Sequence, residues 1–140
     1  MSLDLTSLKS SVKSLESSIE ISQEWITGNN KNVDEVIRAG VIQNFEFTYE
    51  LAWKFMTRWL SVNYSPSVSG IARKELFRIA LEYKLIDNFD SWVEYNEARN
   101  KTSHTYDTAN AEYVFNTAKK FLTDIKKFLK VLEKNNKWLI

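Results

Sequence analysis

The sequence predicts an all-α protein, folded as an antiparallel, up-and-down bundle of four or five helices. Three observations predict it. Apolar residues recur at spacings of three and four over long segments, the period of one helix face. Three glycines and one proline are all that punctuate 140 residues, which favours few, long elements. No run alternates apolar and polar residues as a half-buried strand does. Long helices joined by short connections pack antiparallel to their neighbours. The length fits one domain, residues 1–140, that buries roughly two thirds of its unfolded surface without staples.

The first helix is expected over about 4–26. Leu5, Leu8, Val12, Leu15, Ile19 and Ile26 form its stripe, and Gly28-Asn29-Asn30 closes it with residues that tolerate left-handed backbone. The second is expected over about 34–62, with Asp34 as its N-cap. Ile37, Val41, Phe45, Thr48, Ala52, Phe55 and Trp59 make one stripe; Ile42, Tyr49, Trp53, Met56 and Leu60 make the next. Together they wrap more than half of the helix, which predicts a central, heavily buried element. Pro66 lies beyond its end. The third helix is expected over about 70–84, with Ala72, Leu76, Ile79, Ala80 and Tyr83 inward. The fourth, about 90–99, starts at an Asp90 N-cap and carries Trp92, Val93, Tyr95 and Ala98. The fifth starts at Asp107 or Thr108 and runs to about 133. Its Val114, Ala118, Phe121, Ile125, Phe128 and Leu132 form a near-heptad seam. Trp138-Leu139-Ile140 is a short apolar tail that docks or frays. The broad faces of the second helix and the seam of the fifth supply more apolar surface than one bundle needs, so a homodimer is expected.

Charge and composition exclude several classes. With no cysteine, disulfides and thiolate metal sites are impossible, which fits a reducing cytoplasm. His104 is the sole histidine, so no His-rich metal site forms within one chain. Nothing in the residues requires a cofactor. Nineteen basic and eighteen acidic residues nearly cancel, so the strong basic excess of a non-specific nucleic-acid binder is missing. Lysines do crowd the C-terminal end (Lys119, Lys120, Lys126, Lys127, Lys130, Lys134 and Lys137), as a solvated helix face or as a patch for an acidic partner. No stretch approaches the roughly 20 apolar residues of a membrane span, and residues 1–14 lack a signal-peptide core.

Some polar residues do not fit the bundle. Arg38, Glu46 and Glu50 lie in the most apolar helix. Glu46 and Glu50 are one turn apart and repel unless neutralised. They are solvated on a narrow polar strip, or pair with a cation such as Arg99, or face a partner; Glu50 can also pair with Lys54. The second polar region is Arg99-Asn100-Lys101-Thr102-Ser103-His104-Thr105-Tyr106, between the last two helices. On a continuous helix Arg99 and His104 stand about 140° apart, on different faces; a bend brings them together. An arginine fork binds phosphate, and histidine exchanges a proton near neutral pH. The pair can cleave RNA without metal, or it can be a hydrogen-bonded loop. Spacing alone leaves both open.

Residues 36–54, Val-Ile-Arg-Ala-Gly-Val-Ile-Gln-Asn-Phe-Glu-Phe-Thr-Tyr-Glu-Leu-Ala-Trp-Lys, resemble a signature of the nucleotidyltransferase substrate-binding protein family. Arg99-Asn100 through His104-Thr105-Tyr106-Asp107 resembles its second signature, and the likeness runs in order along nearly the whole chain. That family belongs to the wider HEPN group of helical bundles, commonly dimers. The resemblance implies a minimal nucleotidyltransferase as partner, usually encoded next door, which carries the transfer carboxylates. It implies a substrate- or partner-binding surface at Arg38, Gln43, Glu46, Glu50, Trp53 and Lys54. By likeness to related toxins it implies a metal-independent ribonuclease site at Arg99, Asn100 and His104. It also implies Tyr106 as the acceptor of AMP from the partner. A nucleotide or RNA is the implied ligand, and the two implied roles are a regulatory subunit and a ribonuclease.

Overall fold

A computed structural model describes residues 2–136. It contains α1 (Thr6–Trp25), α2 (Lys31–Asn63), α3 (Arg73–Glu82), α4 (Phe89–Lys101) and α5 (Thr108–Asn135), with single 3-10 turns at Pro66–Val68 and Thr102–His104. No strand occurs among the described residues. The expected apolar tail at 138–140 lies outside them.

Cross-helix pairs give the directions. Lys9 meets Glu133 and Lys126 meets Glu16, so α1 and α5 run antiparallel. Ser11 meets Thr48 across the α1–α2 hairpin. Glu50 meets Arg99 and Glu46 meets Thr102, so α2 and α4 run antiparallel; Glu94 with Lys120 and Trp92 with Phe128 fix the same sense for α4 and α5. The result is an up-and-down four-helix bundle of α1, α2, α4 and α5, with α3 as a short fifth helix over α2 and α4. At one end Asn136 clips the chain's start, donating from Nδ2 to the Leu3 carbonyl and accepting from the Leu3 N–H.

The core is aromatic at its centre. Phe121 of α5 meets Phe45 of α2 edge-on at 5.2 Å, and Tyr95 and Trp92 of α4 at 5.0 and 5.6 Å. Trp92 also touches Phe128 and Phe77. Edge-to-face rings add attraction beyond the area they bury. Two tyrosines reach polar partners from inside this cluster: Tyr49 donates to Asn96 at 2.7 Å, and Tyr95 donates to Asp124. Burial pushes both hydroxyls well above the usual tyrosine range, and Asp124 raises Tyr95 further.

Several expectations change in detail. Asn30, not Asp34, caps α2, accepting from the Val33 N–H at 3.2 Å. Asp34 is buried one turn inside, where its carboxylate accepts the N–H groups of Thr27 at 3.3 Å and Gly28 at 3.0 Å. Gly28 has φ +79°, and this left-handed step turns those donors toward Asp34. Asn88, not Asp90, caps α4, accepting from Ser91. Asp107 does cap α5, with the N–H of Ala109 at 2.8 Å. In α3 Phe77 is buried, while Ala72 and Tyr83 are exposed. The α5 seam is wholly consumed by the protomer's own core, so it offers nothing to a second copy. The apolar residues left in solvent lie elsewhere, on α2 at Val33, Val36, Phe47 and Val62 among others. Lys120, Lys126 and Lys127 reach Glu94, Glu16 and Asp87 on neighbouring elements, which spends much of the lysine crowd on exposed ion pairs. No helix of the described residues is long and apolar enough to cross a membrane.

Candidate functional site

The polar corner between α4 and α5 is built by two helix ends and one turn. α4 ends at Lys101 with Arg99 in its last turn, and a single 3-10 turn, Thr102–His104, swings the chain toward α5. The turn is pinned through its backbone. The His104 carbonyl accepts the N–H of Asp107 at 3.2 Å and Asn110 Nδ2 at 3.3 Å. The path of the turn therefore owes its shape to hydrogen bonds rather than to burial.

Arg99 is the inward-facing member. Its Nε donates to Glu50 Oε1 at 2.8 Å, and its Nη1 lies 3.5 Å from Glu46 Oε2. The two carboxylates of α2 are thus held by one cation from another segment, one of the three arrangements the sequence left open. The group carries one positive and two negative charges, and each side chain is about one third exposed, at 29% for Arg99, 36% for Glu46 and 32% for Glu50. Thr102 completes it. Its hydroxyl lies 2.5 Å from Glu46 Oε2 and 2.8 Å from the Arg99 carbonyl, and accepts from Arg99 Nη1 at 3.2 Å. Glu50 has a further donor in Trp53 Nε1 at 3.0 Å. Arg73, at the start of α3, stacks on the Trp53 ring with its guanidinium 3.2 Å from the ring centroid. Lys54 is exposed, 5.7 Å from that ring rather than on Glu50.

His104 and Tyr106 face the other way. Both are exposed, Tyr106 at 85%. Their rings meet edge-on at 5.9 Å, and the Tyr106 hydroxyl stands 3.5 Å from His104 Nδ1, a long and weak contact. Asn100 and Gln43 are exposed as well. Within one protomer the Arg99 fork is spent on carboxylates while the His104 ring points to solvent.

Arg38 lies apart from Arg99, in a cleft of about 230 Å³ between the second and third turns of α2 and the start of α5. Ala39, Ile42 and Ala111 form its apolar floor, and Tyr106 stands at its edge. No cluster of three His, Cys, Asp or Glu side chains fit for a metal ion occurs among the described residues.

Thr102, Arg73 and Asn96 were missed as participants. Thr102 stood inside the second signature, but its two-way bridge needs the 3-10 turn to be seen. Arg73 reaches Trp53 only because the chain folds back after Pro66–Val68, and no periodicity reports that.

A family model described as nucleotidyltransferase substrate binding protein like matches residues 3–134. The chain is 35% identical over 141 aligned positions to a Haemophilus influenzae protein named probable ribonuclease HepT, covering 97% of this chain and 96% of that one. It superposes with TM-score 0.85 and 34% identity on a solved H. influenzae structure described as the fold of a substrate binding domain of a nucleotidyltransferase, covering 93% and 99% of the two chains. A Thermus thermophilus crystal structure shares the fold at TM-score 0.67 and 23% identity, over 87% of this chain and 98% of that one.

Proposed function

The chain belongs to the nucleotidyltransferase substrate-binding protein family, and from that membership we propose that it is the helical regulatory subunit of a two-component nucleotidyltransferase, presenting Tyr106 as nucleotidyl acceptor. The partner is a minimal nucleotidyltransferase in the same cytoplasm. The observation that carries this reading is the placement of Tyr106. Among the described residues it is the most exposed of the large hydrophobic side chains, at 85%, on a turn pinned by its own backbone. An acceptor hydroxyl needs that access, because a second protein must close over it. In the step, Tyr106 Oη attacks the α-phosphorus of a nucleoside triphosphate held by the partner. The new O–P bond forms as the α–β phosphoanhydride breaks. Pyrophosphate leaves, and the phenolic proton passes to a carboxylate of the partner. The test is transfer of labelled nucleotide from triphosphate to this protein, together with co-purification of the pair. Label on wild type and none on Tyr106→Phe is the expected result; separate proteins and no label overturn the reading.

A second reading is a metal-independent endoribonuclease, favoured by the exposed His104 ring and by the name of the H. influenzae relative. His104 takes the 2′-hydroxyl proton, the 2′-oxygen attacks phosphorus, and the 5′-oxygen leaves with a proton from water, giving a 2′,3′-cyclic phosphate. Arg99 stabilises the phosphorane, and Asn100 donates to its oxygens. This requires RNA to draw the Arg99 fork from Glu46 and Glu50, against a local excess of negative charge. A homodimer serves this reading by bringing Arg99 of one copy toward His104 of another. The stripe Val33, Val36, Gly40, Gln43, Phe47 on α2 supports such a contact, with spacings of three and four and mostly solvent-exposed side chains. RNA cleavage in a chelator that His104→Ala abolishes is its expected signature, and uncut RNA contradicts it.

A further inference from the structure

The Tyr106 reading leaves one singled-out residue without a task. Arg38 is half-buried, yet makes no ion pair or hydrogen bond among the described residues. Glu35, one turn before it, pairs with Lys31 at 3.9 Å instead. A half-buried guanidinium left unspent can take an anion, since its planar fork matches phosphate oxygens. It contrasts with Arg99, whose fork already holds Glu50 and Thr102. Arg38 is also the one cation lining the α2–α5 cleft among the described residues, and Tyr106 lines the same cleft.

We propose that the nucleotide carried on Tyr106 docks into this cleft, with its phosphodiester on the Arg38 guanidinium and its base on Ala39, Ile42 and Ala111. The proposal rests on the reading of Tyr106 as acceptor. The cleft has the three chemistries a nucleoside monophosphate needs. Arg38 supplies the cation. The floor supplies apolar area for one face of a base. Glu35 and Glu112 also line the cleft as acceptors for ribose hydroxyls or an exocyclic amine, and their charge is the cost that the Arg38 contact must offset. At about 230 Å³ the cleft is smaller than the roughly 300–1,000 Å³ of sites that engulf drug-sized ligands, so it holds a nucleotide against one wall rather than enclosing it. Docking also ties Tyr106 to α2, bridging the start of α5 to the start of α2 and stiffening the exposed turn between.

The test uses full-length protein modified by co-expression with its nucleotidyltransferase, as wild type, Arg38→Gln, Arg38→Lys and Tyr106→Phe. Two quantities are read: the rate at which a phosphodiesterase strips the nucleotide, and the ³¹P chemical shift of the adduct. A charge-assisted hydrogen bond is worth about 1.5–3 kcal/mol, so losing it speeds stripping by about tenfold or more in Arg38→Gln. Arg38→Lys restores part of the protection, and the ³¹P signal moves in Arg38→Gln toward that of a free tyrosyl phosphodiester. Equal stripping and an unmoved signal overturn the docking while leaving Tyr106 as acceptor. An adduct on wild type but none on a folded Arg38→Gln places Arg38 in the partner's recognition surface and also overturns it. No adduct on wild type removes the acceptor reading and the docking with it.

Discussion

The aromatic centre of the bundle and the α4–α5 corner are held by different forces. Around Phe121 the rings of α2, α4 and α5 meet at 5.0–5.6 Å with at most 2% of each residue exposed. At the corner, residues 99–108 are exposed or half-buried without exception. There the shape comes from Glu46, Glu50, Thr102 and Arg99 holding one another and from two donors on the His104 carbonyl, the Asp107 N–H and the Asn110 side-chain amide. Burial fixes the first region through contacts that no single polar group controls. Hydrogen bonding fixes the second through a few identifiable atoms. The corner can therefore present reactive side chains to a partner while the bundle beneath it stays rigid, and its chemistry can be altered with little effect on folding.

The largest effect lies in the centre. Phe121→Ala opens a cavity among four rings and is expected to destabilise by about 3–5 kcal/mol in denaturant unfolding. A loss below about 1 kcal/mol would mean that the centre is not the stabilising unit. Next comes the brace of the corner. Glu50→Ala removes the acceptor of both Arg99 Nε and Trp53 Nε1. The groups are about one third exposed, so the global cost is near 1 kcal/mol. Hydrogen exchange is expected to quicken at residues 99–106 and to stay slow in α5. Quickening throughout would erase the distinction between the regions.

A smaller effect separates them by pH. Burial raises the Tyr49 and Tyr95 hydroxyls above the ordinary tyrosine value near 10. Above that pH the unfolded chain releases protons that the folded centre retains. Stability is therefore whole below about pH 10 and declines as pH rises past it. The unfolding midpoint should fall over that alkaline range, and fall less in Tyr95→Phe. The smallest effect on stability is at Tyr106, where Tyr106→Phe should stay within about 0.5 kcal/mol of wild type, as surface changes usually do.

The same division governs what the sequence could tell. Stripes of α1, α2 and α5 were legible because burial writes itself as a period near 3.6 residues. The pairing of Arg99 with Glu46 and Glu50 was readable as one option, since two like charges a turn apart need a cation. Asp34 was misplaced because Asn30 and Asp34 are both good caps, and only the left-handed Gly28 shows which donors Asp34 faces. The α5 seam suggested a surface for a second copy because a heptad reads the same whether a neighbouring helix or another protomer covers it. Arg38 and Tyr106 lie far apart in sequence, and nothing periodic reports that they line one cleft.

We propose Tyr106 as the acceptor for a nucleotidyl group. The most direct measurement is the mass of the chain, intact and as fragments, after incubation with its nucleotidyltransferase and a nucleoside triphosphate. Addition of nucleoside monophosphate localised to Tyr106 is expected in wild type and in Glu50→Ala, and none in Tyr106→Phe. An unmodified wild-type chain, or an adduct that persists in Tyr106→Phe, would contradict it.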